Sequence, residues 1–374
     1  MIDVEKFYNV LIDNDVDFFA GVPDSLLQNI CAFITDQTSL EKNVITANEG
    51  AAVGLACGYY MSTGKIPVVY MQNSGLGNAV NPLLSLADEK VYSFPLLLMI
   101  GWRGEPGIKD EPQHKKQGEV TLGLLETMQI PYVILDSEET TAIVQIKNMV
   151  NSAKVRSIPH AIVIRKGIFG KYVLKNKPEN NYPVSREEAM KLVVDYMQDQ
   201  DIVVSTTGKL SRELFEYRTS KGLGHARDFL TVGSMGHSSS IALGICIGNK
   251  NRKVFCFDGD GAFIMHMGAI TNVGNIAPPN YLHILFNNGT HESVGGQPTL
   301  GFSLNIPAIA KACGYKNAVI AKTKEEIVEA MESIVCMDGP SLLEIKVGID
   351  SRDNLGRPTT SPIENKQNFM RFIK

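Results

Sequence analysis

The chain lacks an excess of charge of either sign: 36 Lys and Arg face 40 Asp and Glu across 374 residues, a formal net charge of -4. No global basic field therefore exists to attract nucleic acid or an anionic membrane, which leaves room only for a local pocket for a small anion. Long hydrophobic runs are missing too, since the longest, near residues 93–101, is too short to cross a bilayer. The six cysteines (Cys31, Cys57, Cys246, Cys256, Cys313 and Cys336) include no CxxC pair and read as reduced core residues, not as a disulfide frame or zinc site. The seven histidines form no HExxH or HxH pattern, which disfavours a transition-metal hydrolase. The opening Met1-Ile-Asp-Val-Glu carries none of the positive charge of a secretory leader. A soluble, cytoplasmic protein is the expectation.

What is present is an ordinary globular composition, 44% hydrophobic and 20% charged. At roughly 100–200 residues per domain the length suggests about two domains. Short apolar runs bounded by Gly, Pro or Asn read as buried strands: Val44 to Ala47, Pro67 to Met71, Pro95 to Ile100 and Ala161 to Ile164. Between them Glu49 to Met61 and Asn78 to Leu86 read as helices. A polar, Pro-containing stretch at 171–185 interrupts the series. It then restarts with Asp201 to Ser205, Lys253 to Phe257, Tyr281 to Phe286 and Ser341 to Val347. The pattern predicts an α/β protein of two doubly wound parallel-sheet domains, 1–170 and 186–374, joined by a linker at 171–185. The halves share a layout but no close sequence repeat.

Parallel sheets bind ligands beyond the carboxyl ends of their strands. The strongest signal lies at two such ends: Phe257-Asp-Gly259-Asp260-Gly261-Ala262-Phe, and Phe286-Asn287-Asn288-Gly289-Thr290 after the next strand. The 25 residues between Gly261 and Asn287 suffice for a helix and a return strand. Asp260 offers a carboxylate, Asn288 an amide oxygen and the chain near Thr290 a carbonyl, all hard donors for an octahedral ion such as Mg2+. Gly259 and Gly261 let phosphate groups approach the main chain.

This pattern resembles the GDG…NN signature of the thiamin-diphosphate enzymes. The resemblance implies thiamin diphosphate and Mg2+ as cofactors, with Asp260, Asn288 and Thr290 as metal ligands and Gly259, Gly261 and Ala262 beside the diphosphate. It implies that the first domain binds the pyrimidine and the second the diphosphate; many members of the family carry a third, middle domain between them, but the linker at 171–185 is too short for one. Thr231-Val-Gly233-Ser-Met235-Gly236 is similar to the family turn in which a large apolar side chain, here Met235, supports the bent cofactor and a carbonyl, here Gly233, accepts from its pyrimidine. Glu49, opening a helix after the strand Val44 to Ala47, matches the acid that bonds the pyrimidine ring and is the expected catalytic residue. Without the second motif, Glu49 reads instead as a favourable acid in a first helical turn capped by Asn48. The family also implies a homodimer or higher even oligomer with active sites between subunits.

Further stretches resemble the phosphonopyruvate and sulfopyruvate decarboxylases within that family. They are Ala20-Gly-Val-Pro-Asp24-Ser25, Gly101-Trp-Arg-Gly-Glu-Pro-Gly, Asp110-Glu-Pro-Gln113-His114, Thr290-His-Glu-Ser-Val-Gly-Gly-Gln297, and the tail Asp353-Asn-Leu-Gly-Arg357-Pro-Thr-Thr. The resemblance implies a small anionic 2-oxo acid substrate and decarboxylation of 3-phosphonopyruvate to phosphonoacetaldehyde and CO2. Sulfopyruvate decarboxylation and acetolactate-type carboligation are the alternatives. Expected substrate contacts are Asp24, Ser25, Asn73, Gln113, His114 and Arg357, with Arg352, Arg103 and Lys115 as further cations for the phosphonate. His114 is the expected proton donor and His291 its rival. Gly75-Leu-Gly77-Asn-Ala-Val80 resembles a dinucleotide loop but lacks the third Gly, so a nicotinamide enzyme is disfavoured.

Overall fold

A computed structural model describes residues 1–374 apart from Asp350 and Asp353, so the first residue of the tail stretch lies outside the described residues. The chain divides into two compact units. The first comprises Met1–Lys177 with His291–Pro298, and the second Pro178–Thr290 with Thr299–Lys374.

In the first unit, β1 (Phe19–Gly21), β2 (Asn43–Ile45), β3 (Val68–Gln72), β4 (Leu97–Gly101), β5 (Tyr132–Ile134) and β6 (His160–Ile164) form one parallel sheet ordered β2-β1-β3-β4-β6-β5. In the second, β7 (Ile202–Ser205), β8 (Asp228–Leu230), β9 (Val254–Gly259), β10 (Tyr281–Asn287), β11 (Asn317–Ala321) and β12 (Ser341–Lys346) are ordered β8-β7-β9-β10-β12-β11. Strand for strand, the two orders are the same. The expected strands all form. The strands outside that expectation are β5, β8 and β11, which are sheet edges, and β1, which is three residues long. Edge strands need no continuous apolar run, and Val319 and Ile320 of β11 are exposed.

Alternation puts Phe19, Tyr70, Met99 and Ile162 on one face of the first sheet and Ala20, Met71, Ile100 and Val163 on the other, each beneath helices. The second sheet is less symmetrical. One face carries Phe255, Phe257, Ile284, Phe286, Leu343 and Ile345. The other mixes Cys256, Leu285 and Leu342 with the buried polar residues Asp258, His283, Asn287, Glu344 and Lys346.

Two expectations change in detail. The segment predicted as a helix from Asn78 to Leu86 is an α-helix over Leu76–Pro82 that widens into a π turn over Leu83–Ala87. Pro82 has no N–H to give and disturbs the regular ladder there. The cysteines are all unpaired, but Cys336 is exposed and Cys313 half-buried, so only Cys31, Cys57, Cys246 and Cys256 belong to the core. Among the described residues, no helix is long and apolar enough to cross a membrane.

Candidate active site

Asn48 caps the helix Glu49–Thr63 by accepting from the Ala51 amide at 2.9 Å, which makes Glu49 the first helical residue beyond the end of β2. Glu49 is only 4% exposed, and Asn78 Nδ2 donates to its Oε2 at 2.7 Å. A Cβ on Gly75 would sit 2.4 Å from Glu49 Oε1. The glycine of the dinucleotide-like stretch is thus needed to admit this carboxyl group.

A second cluster in the same unit follows β1, β3 and β4. Asp24 is 1% exposed, and burial pushes its carboxyl up to about 6 against the opposing Leu26 amide and Arg103 charge. Asp24 Oδ1, Gln113 Oε1 and His114 Nδ1 have no hydrogen-bond partner among the described residues. Burial also lowers the His114 pKa, with Arg103 adding to the effect. Arg103 donates from Nε to Asp110 Oδ2 at 2.8 Å, from Nη2 to Asp110 Oδ1, and from Nη1 to Ser25 Oγ at 2.7 Å. Burial alone would raise Asp110, but the guanidinium and the Glu111 and Gly104 amides hold it well below the usual carboxylate range. Asn73 donates to the Arg103 carbonyl and Thr121 Oγ1, each at 2.8 Å, and accepts from the Arg103 amide at 3.1 Å. Its amide is committed to the loop that carries Arg103, so it shapes that loop. Lys115 is exposed.

In the second unit, β9 and β10 pair with Gly259 beside Phe286, so the chain leaves both strands at one level. Asp260 opens the short helix Asp260–Met265, which also holds Gly261 and Ala262. It is 3% exposed, and burial pushes its carboxyl up to about 6, while the Thr299 hydroxyl and the Asn288 amide donate to it. Asn288 Oδ1 accepts from the Thr290 amide at 3.0 Å across a turn in which Gly289 adopts φ 72°. A divalent cation fits this donor set. Asp260 is a buried carboxylate supported by dipoles, with no charged partner among the described residues, beside amide and carbonyl oxygens that suit a hard ion.

The Gly233 to Gly236 turn follows β8, with Gly233, Ser234 and Gly236 at φ 79°, 51° and 84°. Thr207 Oγ1 accepts from the Gly233 amide at 3.1 Å, and Met235 is half-buried. Arg357 is exposed on the tail between β12 and the helix Pro362–Ile373. Arg352 of that tail is held by Glu187 and Glu216. His291 groups with the first unit, whereas Thr290 before it groups with the second. Burial lowers its pKa to about 4, so it is uncharged at neutral pH.

Several residues at these sites escape the sequence reading. Asn180, in the expected linker, donates to the Asn288 carbonyl at 3.0 Å and the Val347 carbonyl at 2.8 Å. Gln297 is fully buried with neither end of its amide partnered among the described residues. Thr299 and Gly301 lie against Asp260. Glu344 and Lys346 were detectable, as two charges inside the otherwise apolar strand Ser341 to Val347.

Residues 4–124 match the family described as "Thiamine pyrophosphate enzyme, N-terminal TPP binding domain", and residues 206–345 match "Thiamine pyrophosphate enzyme, C-terminal TPP binding domain". The chain belongs to the thiamine pyrophosphate enzymes. It is 31% identical to phosphonopyruvate decarboxylase of Streptomyces viridochromogenes, covering 95% of this chain and 90% of the relative. It is 30% identical to phosphonopyruvate decarboxylase of Streptomyces hygroscopicus, covering 100% of this chain and 94% of the relative. A sulfopyruvate decarboxylase of Methanosarcina acetivorans is 26% identical over 91% of this chain and 90% of its own length.

Proposed function

We propose that this protein is a thiamin-diphosphate-dependent 2-oxo acid decarboxylase that converts 3-phosphonopyruvate to phosphonoacetaldehyde and CO2, in phosphonate biosynthesis of the 2-aminoethylphosphonate type. The observation that carries this reading is full-length relatedness to two phosphonopyruvate decarboxylases at 31% and 30% identity, above the 26% of the single-chain sulfopyruvate enzyme. The buried carboxyl groups Glu49 and Asp260 supply the chemistry such a cofactor requires.

Bound thiamin diphosphate supplies an electron sink for the bond broken on loss of CO2. The protein's part is to hold and orient. Asp260, Asn288 and the Thr290 carbonyl would hold Mg2+, with the main chain at Gly259, Gly261 and Ala262 beside the diphosphate. Gly233 would accept from the pyrimidine, and Met235 would support the cofactor. Glu49 would hydrogen-bond the pyrimidine ring and so favour the protonation state that catalysis needs. Asp24, Ser25, Gln113, His114 and Arg357 form the substrate set, and Asn73, expected there, acts instead through the Arg103 loop that it holds. The unpartnered Asp24, Gln113 and His114 atoms are buried polar groups for which a polar substrate is a natural partner. The carbon that loses CO2 gains one proton. His114 is its source, in preference to His291, because His114 carries a buried unpartnered ring nitrogen in the cluster with Asp24 and Gln113. Assembly is a homodimer or a larger even oligomer in the cytoplasm.

The test is CO2 release with thiamin diphosphate and Mg2+ on phosphonopyruvate, sulfopyruvate and pyruvate side by side. Preference for phosphonopyruvate, with phosphonoacetaldehyde formed, is expected. Preference for sulfopyruvate overturns the substrate but keeps the class. Condensation products from pyruvate point instead to a carboligase.

A further inference from the structure

Strand β12 buries an ion pair where a parallel sheet ordinarily buries aliphatic side chains. Glu344 is 1% and Lys346 7% exposed, their charged atoms 2.5 Å apart, two residues from one another on the same face. Burying two charges is costly, and apolar residues of similar size would serve stability as well or better. The reason for the pair lies in what else it holds. Glu344 Oε1 accepts from Asn287 Nδ2 at 2.7 Å, and the same Nδ2 donates to the Gly301 carbonyl at 2.7 Å. Lys346 Nζ donates to that carbonyl at 3.2 Å and lies 4.9 Å from the centre of the Phe302 ring.

These bonds set which way the Asn287 amide faces. With Nδ2 engaged by two acceptors, Oδ1 is turned to accept from the Gly289 amide at 3.1 Å, inside the turn that presents Asn288 and Thr290. They also hold Gly301 down. A Cβ at Gly301 would sit 2.5 Å from Asn287 Oδ1 and 2.7 Å from Asp260 Oδ2, so the chain here is pressed onto the carboxylate. Thr299 Oγ1, two residues earlier, donates to Asp260 Oδ2 and accepts from the Gly301 amide at 3.1 Å. One buried pair is thereby linked to both strand ends that carry the metal donors.

We propose that Glu344 and Lys346 are positioning residues for the cofactor's metal: their buried ion pair fixes the Asn287 amide and the Gly301 carbonyl, and so shapes the turns around Asp260, Asn288 and Thr290 before the ion arrives. The proposal rests on reading those three as the metal ligands. Preorganisation of this kind lowers the cost of ordering on binding and shows as ion affinity.

The experiment titrates thiamin diphosphate into EDTA-stripped protein at stepped Mg2+ concentrations, followed by calorimetry, with melting curves in EDTA alongside. Glu344→Leu/Lys346→Met is expected to melt at or above the wild-type temperature, yet to need about 10- to 100-fold more Mg2+ for half-maximal cofactor binding. Glu344→Gln/Lys346→Met, which keeps an oxygen facing Asn287, is expected to recover most of that affinity. A Mg2+ requirement unchanged in the Leu/Met variant overturns the proposal, as does equal loss in both variants. In the wild type, the Gly289 and Gly301 amides should be protected from hydrogen exchange in EDTA. Exchange at the rate of an open chain until Mg2+ is added contradicts a site shaped in advance, even if neither variant folds. Wild-type cofactor binding that needs no Mg2+ removes the ligand assignment itself, and the proposal with it.

Discussion

The two units carry the same strand order and put different chemistry at corresponding strand ends. After the second strand of each sheet, the first unit places the Glu49 helix and the second the Met235 turn. After the third strand come Asn73 in one and Asp260 in the other, and after the fourth, Arg103 and Asn288. The first unit gathers an acid and an imidazole, each with an atom unpartnered among the described residues, and a guanidinium, whereas the second gathers oxygen donors around one buried carboxylate. Their interiors diverge accordingly. The central strands of the first sheet are apolar on both faces, but the second sheet has a polar stripe running up to the Asn287 to Thr290 turn. A shared fold fixes where functional groups are offered, and the loop sequences decide what they do.

That division of labour can be broken one half at a time. Glu49→Gln should lower CO2 release at saturating cofactor by at least about 100-fold, while cofactor affinity changes little. Full activity would remove Glu49 from catalysis. Asp24 offers a pH test of the same unit. Its folded pKa of about 6 exceeds the unfolded value of about 3.9, so the folded state retains the proton longer. Its contribution is fully present below about pH 4 and is lost as pH rises to about 6, on the order of 2–3 kcal/mol. Urea midpoints of the wild type should therefore fall across that window more than those of Asp24→Asn. Parallel curves would contradict the burial argument.

Smaller effects are expected where charges only assist. Arg103→Lys cannot keep both the fork to Asp110 and the bond to Ser25, and should raise the KM for phosphonopyruvate about tenfold, the equivalent of one charge-assisted hydrogen bond. Steady-state kinetics with unchanged cofactor affinity would place the effect in the first unit alone. Arg357→Ala, on the exposed tail, should raise the KM less, up to about fivefold. Unaltered kinetics would exclude the tail as the anion clamp.

The central strands, the two-unit layout and the GDG…NN ends were legible because long buried strands and glycine-flanked acids leave dense local patterns. Edge strands such as β5 and β11 were not, since their apolar runs are short and partly exposed and do not stand out from the helices and loops around them. The same limit applies to partners distant in sequence. Nothing in the stretch around Asn180 announces a bond to the Asn288 carbonyl, and Asn73 looks outward-facing until Thr121 and Arg103 are seen around it. Gly75 was legible as a glycine but not as the floor beneath Glu49. Charges inside an apolar strand, as at Glu344 and Lys346, mark places where packing alone does not explain the sequence.

The most direct test of the account compares thiamin diphosphate binding to Glu49→Gln and Asp260→Asn with and without Mg2+. The account predicts that Glu49→Gln keeps tight, Mg2+-dependent binding, whereas Asp260→Asn loses the Mg2+ dependence and most of the affinity. Equal, Mg2+-dependent binding by both variants would contradict the assignment of the metal and diphosphate to the second unit.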